Sequence, residues 1–189
     1  MDKEKIWNRV RSLAPASVVT STQEEGERFV SDFFVQYSDE MRQQKILPMR
    51  IACEHYQTAI DFWHALAEKC CETVAPVIDK SNMKMVDSLQ KLIRAAKATD
   101  PIKTFLVKIL DEEIRKKTGW RVLVVMENFE SLVEYSPSSD IMKIRKLIEV
   151  PVIIVAVSRK SLIDLCKEKY GNPYFSNQFE PTEQNTINQ

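Results

Sequence analysis

Two stretches decide the fold: Arg121–Glu127, R-V-L-V-V-M-E, and Val150–Ser158, V-P-V-I-I-V-A-V-S. In the first, Val122 to Met126 are apolar without a polar alternation. A strand with one wet face alternates, whereas a strand apolar throughout is covered on both faces, as in a parallel sheet between layers of helices. Working outward, Ala16–Thr20, A-S-V-V-T, is a short β-branched run, and Met49–Glu54 reads as a further strand after Pro48. Between them Phe29, Val30, Phe33, Phe34, Tyr37 and Met41 recur at helical steps. The same periodicity marks helices over residues 2–13, from Thr58 to Val74, from Asp100 to Lys117, from Asp140 to Ile148 and from Ser161 to Tyr170. Alternating strands and helices predict an α/β fold: three layers, a parallel sheet of about five strands with helices on both faces, joined by right-handed crossovers. The last strand would fall within Tyr174–Pro181. The expected organisation is an N-terminal helix over 1–15, one α/β domain over 16–181 with a helical insert near 77–100, and a flexible tail over 182–189.

Composition narrows the function. The 189 residues carry 27 Lys plus Arg and 27 Asp plus Glu, so the formal net charge is zero, which argues against a dedicated nucleic-acid binder. It also predicts poor solubility near neutral pH unless a partner covers part of the surface. The longest apolar run, Val150–Val157, contains Pro151 and falls well short of the roughly 20 residues a membrane helix needs. The charged start M-D-K-E-K-I-W lacks the apolar segment of a signal peptide. Cys53, Cys70, Cys71 and Cys166 have no zinc-like spacing and suit buried thiols in a reducing cytoplasm, the expected location. With His55 and His64 the only histidines, imidazole catalysis has few candidates.

In a parallel sheet, ligands bind beyond the carboxyl ends of the strands. The residues there are Ser21–Arg28 (S-T-Q-E-E-G-E-R), Glu54 and His55, Glu127 and Asn128, and Ser158 and Arg159. A strand, an eight-residue loop, a helix and a later strand ending in an acid is a plan that resembles the P-loop ATPases. The nearest match is the bacterial AAA-like and STAND ATPases, regulatory relatives of origin-recognition ATPases. R-I-A-C-E…D-F-W-H-A-L at 50–66, V-L-V-V-M-E at 122–127, V-I-I-V-A-V-S-R at 152–159 and Y-F-S-N-Q-F at 174–179 follow the family's order. The resemblance covers most of 16–180 and implies a P-loop-like core.

The departures from that family govern what it implies. Aligned on Gly26, its phosphate loop G-x-x-x-x-G-K-[ST] becomes Ser21, Gly26, Glu27 and Arg28. The loop works by aiming backbone N–H groups at phosphates, with lysine neutralising charge and a hydroxyl holding magnesium. Ser21 resists the conformation glycine permits, and Arg28 has no oxygen for a metal. Glu27 puts a carboxylate where phosphates would lie; at about 4 Å two like charges repel by roughly 4 kcal/mol at an effective dielectric of 20. In the hhhhDE strand Met126 replaces the aspartate and only Glu127 remains. A methionine cannot hold a hard cation.

The expectation is therefore a degenerate member: a non-catalytic pseudo-ATPase-like domain without metal or cofactor, acting through a protein partner or an intact ATPase subunit. A second reading is an active NTPase using ATP and magnesium, with Arg28 in place of the lysine and Glu127 as the catalytic acid. A third is a nucleic-acid adaptor using Arg94, Lys97, Arg115, Lys116 and Lys117. The plain alternatives are that S-T-Q-E-E-G-E caps a helix with acids in its first turn, that Glu127 is a strand-end charge, and that Ser158 and Arg159 cap the next helix or pair with a carboxylate rather than sense phosphate.

Overall fold

The computed structural model describes residues 2–78, 87, 90–91, 93–148, 152–171 and 179–181. Residues 79–86, 88–89 and 92 of the insert expected near 77–100, part of the strand expected within 174–181, and the tail 182–189 lie outside the described residues. In chain order the elements are α1 (Lys3–Arg11), β1 (Ala16–Val19), α2 (Gln23–Gln43), β2 (Ile46–Ala52), α3 (Ala59–Val74), α4 (Thr99–Val107), β3 (Arg121–Glu127), α5 (Phe129–Tyr135), α6 (Ser138–Ile148), β4 (Val152–Ser158) and α7 (Leu162–Tyr170). Beyond Val107, α4 continues as wider π-helical turns over Lys108–Arg115 and stops at Gly119, whose φ of 76° is left-handed.

The four strands form a parallel sheet in the order β2-β3-β4-β1, and Glu180–Pro181 pairs beside β1 through Ala16 and Ser17. Alternate residues of β3 enter two separate cores. Val122, Val124 and Met126 join Phe62, Trp63, Leu66, Ile102, Ile109 and Leu165 under α3, α4 and α7. Leu123 and Val125 join Ile6, Trp7, Phe29, Val30 and Phe33 under α1 and α2. This double coverage is the reason β3 and β4 are apolar throughout. On the second face Trp7 stacks on Tyr37 with ring centroids 5.0 Å apart, and its indole N–H donates to Glu40 Oε2 at 2.7 Å.

Three local expectations are corrected. Helix α2 starts at Gln23, several residues before the apolar stripe and inside the stretch read as an eight-residue loop. The second strand is Ile46–Ala52 rather than Met49–Glu54 and does not wait for Pro48: the chain turns at Lys45, with a left-handed φ of 56°, and Pro48 lies within β2 opposite Leu123. Because β2 is an edge strand, a missing N–H is tolerated there. Helix α5 was not anticipated between β3 and the Ser/Pro loop.

Candidate functional site

The connections leaving β1 and β4 diverge, through α2 on one face and α7 on the other, which makes the carboxyl edge between these strands the expected ligand crevice. The two strand ends are joined there: Thr20 N–H donates to the Ser158 carbonyl at 2.9 Å. Only Thr20, Ser21 and Thr22 separate β1 from α2.

Thr22 and Glu25 cap the start of α2 with their own side chains. Thr22 is the N-cap, its hydroxyl accepting from Glu25 N–H at 3.1 Å, while Glu25 Oε2 reaches back to accept from Ser21 N–H at 2.7 Å. Thr-x-x-Glu is the capping-box spacing, and it uses donors that a phosphate would otherwise take. The Glu24 carboxyl is held below its ordinary pKa by its own backbone N–H and then by the Thr22 hydroxyl. Gly26 is buried in the first turns of α2. A Cβ there would meet Val157 Cγ1 at 3.2 Å and Thr20 Oγ1 at 3.4 Å, so the glycine permits close helix–sheet packing rather than a phosphate cradle.

The next turn carries Glu27, whose Oε1 accepts from Gln23 Nε2 at 3.0 Å; the same amide reaches Glu54 Oε1 at 3.3 Å. Glu127 ends β3 on the α2 face, with its side chain 3 % exposed. Arg50, from β2, meets both its oxygens: Nε donates to Oε1, and Nη2 donates to Oε2 at 2.6 Å. Arg50 also reaches Ser31 of α2 at 3.3 Å, and its carbonyl accepts from Lys69 Nζ at 2.8 Å. Burial raises the Glu127 pKa; Arg50 pulls it down without cancelling the shift, and the nearby Glu27 and Glu54 charges push it further up. Met126, at the position of the missing aspartate, is fully buried in the opposite core.

Arg28 is exposed and lines a groove between α1 and α2 with Lys3 and Asp32, while Glu127 is engaged by Arg50. Ser158 is buried and donates to the Lys160 carbonyl at 2.6 Å. Arg159 Nε donates to Glu130 Oε1 at 2.6 Å. Arg50 and Glu130, the partners that fix these two charges, were not among the expected site residues. A lone arginine in an otherwise apolar strand was the one signal available for Arg50.

His55 is exposed, and His64 Nε2 lies 2.9 Å from the Ala96 carbonyl. All four cysteines are buried thiols; burial lifts Cys71 and Cys166 to about 11. Among the described residues no group of three or more His, Cys, Asp or Glu is arranged to hold a metal ion. Arg94 pairs with Glu68 at 2.8 Å, Arg115 and Lys116 pair with Asp111 at 2.5 and 2.9 Å, and Lys117 pairs with Glu113 at 2.5 Å. No helix among the described residues is long and apolar enough to cross a membrane.

The fold is similar to that of two ORC proteins of Aeropyrum pernix. The ORC2 protein of Aeropyrum pernix, in its ADPNP–ADP complexes, aligns over 95 % of this chain with a TM-score of 0.64 and 11 % identity; in its ADP form the TM-score is 0.61 at 12 % identity. The ORC1 protein of the same organism, in complex with DNA, aligns with a TM-score of 0.57 at 12 % identity. The chain spans less than half the length of these neighbours, 44 to 45 %. No family model and no curated protein matches the sequence. The fold is thus shared with these ORC proteins, whereas the residues at the carboxyl edge do not fit a magnesium–nucleotide. The β1–α2 connection is three residues long, Ser21 N–H is taken by Glu25 and Glu25 N–H by Thr22, and the crevice carries Glu27, Glu54 and Glu127.

Proposed function

We propose that this chain is a non-hydrolysing, ATPase-like domain that acts by binding a protein partner, with an intact ATPase subunit as the first candidate. The reading takes residues 16–181 as the P-loop-like domain, with an insert near 77–100, in a bacterial, cytoplasmic setting. The observation that carries it is the self-capped start of α2: Thr22 and Glu25 occupy donors that a triphosphate would need. The carboxylates of Glu24, Glu25 and Glu27 then add charge of the wrong sign for an anion. Ser21, Gly26, Glu27, Arg28, Ser158 and Arg159 are, on this reading, the vestige of a nucleotide site. The test is a titration with ATP and ADP, with and without magnesium. The expected result is no saturable binding near about 0.1 mM, a concentration range that saturates a micromolar site. Phosphate release that disappears on Glu127→Gln would overturn the reading in favour of an active NTPase.

One observation favours a nucleic-acid role: the Aeropyrum ORC1 neighbour is in complex with DNA. Against it, Arg94, Arg115, Lys116 and Lys117 are paired with carboxylates on this chain. A DNA shift assay separates the two, since binding through phosphates weakens steeply as salt rises.

A further inference from the structure

A second region, on the α7 side of the sheet, has the opposite character from the carboxyl edge. A cleft of about 550 Å³ opens between α5, the end of β4 and α7, lined by Glu130, Val133 and Glu134 on one side and Arg159, Lys160 and Leu165 on the other. Glu130 is 5 % exposed. Its Oε1 accepts from Arg159 twice, from Nε at 2.6 Å and from the backbone N–H at 3.4 Å. Its Oε2 is buried and has no hydrogen-bond partner among the described residues. A buried acceptor left without a donor is costly, and for a carboxylate more so than for a neutral group.

The missing partner must therefore be a donor. An anion is excluded by the buried carboxylate itself. Glu134, one helical turn from Glu130, lines the same cleft, so a ligand with several diverging N–H groups could meet both carboxylates. Val133 and Leu165 add an apolar wall suited to a methylene stem. The charges of Arg159, Lys160 and Lys169, which also lines the cleft, oppose a cation only weakly, because all three bases are exposed to solvent, and Arg159 is already held by Glu130 and Lys160 by Glu168 at 2.9 Å. A guanidinium meets these requirements better than an ammonium: it is weakly hydrated and forked, and it has donors for more than one acceptor.

We propose that this cleft binds a guanidinium group on an apolar stem, with Glu130 Oε2 as its acceptor. The proposal uses residues outside the α2 crevice and stands whether or not a nucleotide binds there. The group has two sources, an arginine side chain on a partner protein or a small free guanidine.

The test titrates the full chain with N-acetylarginine amide, which mimics a peptide-borne arginine, and separately with agmatine, following backbone amides by NMR. Saturable shifts at Arg159 and Leu165 are expected, with a dissociation constant of about 1 mM. Tighter binding of the blocked arginine assigns the site to a protein partner, and tighter binding of agmatine to a small molecule. Glu130→Gln, confirmed as folded by its amide dispersion, should weaken binding at least about tenfold, the loss of one charge-assisted hydrogen bond. The exposed Glu134→Gln variant should weaken it by about two- to threefold and decides the matter if Glu130→Gln does not fold. No saturable shift from either probe up to about 20 mM, or unchanged affinity in the folded variants, would overturn the proposal.

Discussion

Glu127 and Glu130 are three residues apart, both buried and both paired with an arginine, yet their surroundings are opposites. Glu127 closes the carboxyl edge: Arg50 engages both its oxygens, and the α2 start beside it is capped by Thr22 and Glu25. Glu130 faces a cleft with one oxygen engaged and the other without a donor among the described residues. The same chemical pair is a latch where its partner is complete and a receptor where it is not. On the function proposed above, the edge that would hold a nucleotide is the closed one of the two.

The contrast is broken most severely at Arg50. Arg50→Met strands the Glu127 carboxylate in the interior, and urea unfolding should register a loss of about 2 to 3 kcal/mol, kept below the upper range for buried pairs because the Arg50 side chain is 40 % exposed. A loss under about 0.5 kcal/mol, typical of a surface pair, would mean that the edge is not closed by this contact. Gly26→Val tests the close approach of α2 to the sheet. Its side chain would press on Val157 and Thr20, so the same measurement should show a loss of about 2 kcal/mol from overpacking. Thr22→Ala removes the N-cap and should cost about 1 kcal/mol.

The smallest effect is one of pH. The Glu127 pKa is raised by burial, with Arg50 opposing and Glu27 and Glu54 adding. The folded state thus holds this proton more tightly than the unfolded chain. The group contributes most below its ordinary carboxylate range, and that contribution falls as pH rises through the raised value. Glu127→Gln removes the dependence, so the stability of the variant relative to the parent should climb as pH rises from the ordinary carboxylate range through the raised value. A relative stability that declines over that range would indicate that Arg50 outweighs burial.

The sheet could be read from β3 and β4 because burial on both faces leaves a local signature, an apolar run with no alternation. Helix α3 was equally legible, since Thr58 and a periodic stripe mark its start and face. The start of α2 misled for a physical reason. Glu24, Glu25 and Gly26 have the composition of a loop, but acids suit a first helical turn, and the glycine answers to Val157 across the sheet, a contact no local pattern records. Pro48 misled because its cost depends on whether a strand is at an edge, which only the strand order decides. The Glu127–Arg50 pair depends on register: Arg50 lies opposite Val125 and Ala52 opposite Glu127, which places both charges on one face of adjacent strands. That pairing spans 77 residues of chain. Glu127 itself could be singled out at the end of a buried strand; Glu130 could not, because α5 was not anticipated.

Closure of the carboxyl edge to nucleotide is the proposal on which the function rests. It is tested most directly by following the backbone amides of residues 21–28 and of Glu127 by NMR as magnesium–ATP is added to about 5 mM, well above an ordinary nucleotide site's dissociation constant. These amides are expected to stay where they are. Saturable shifts centred on Gly26 and Glu127 would contradict it.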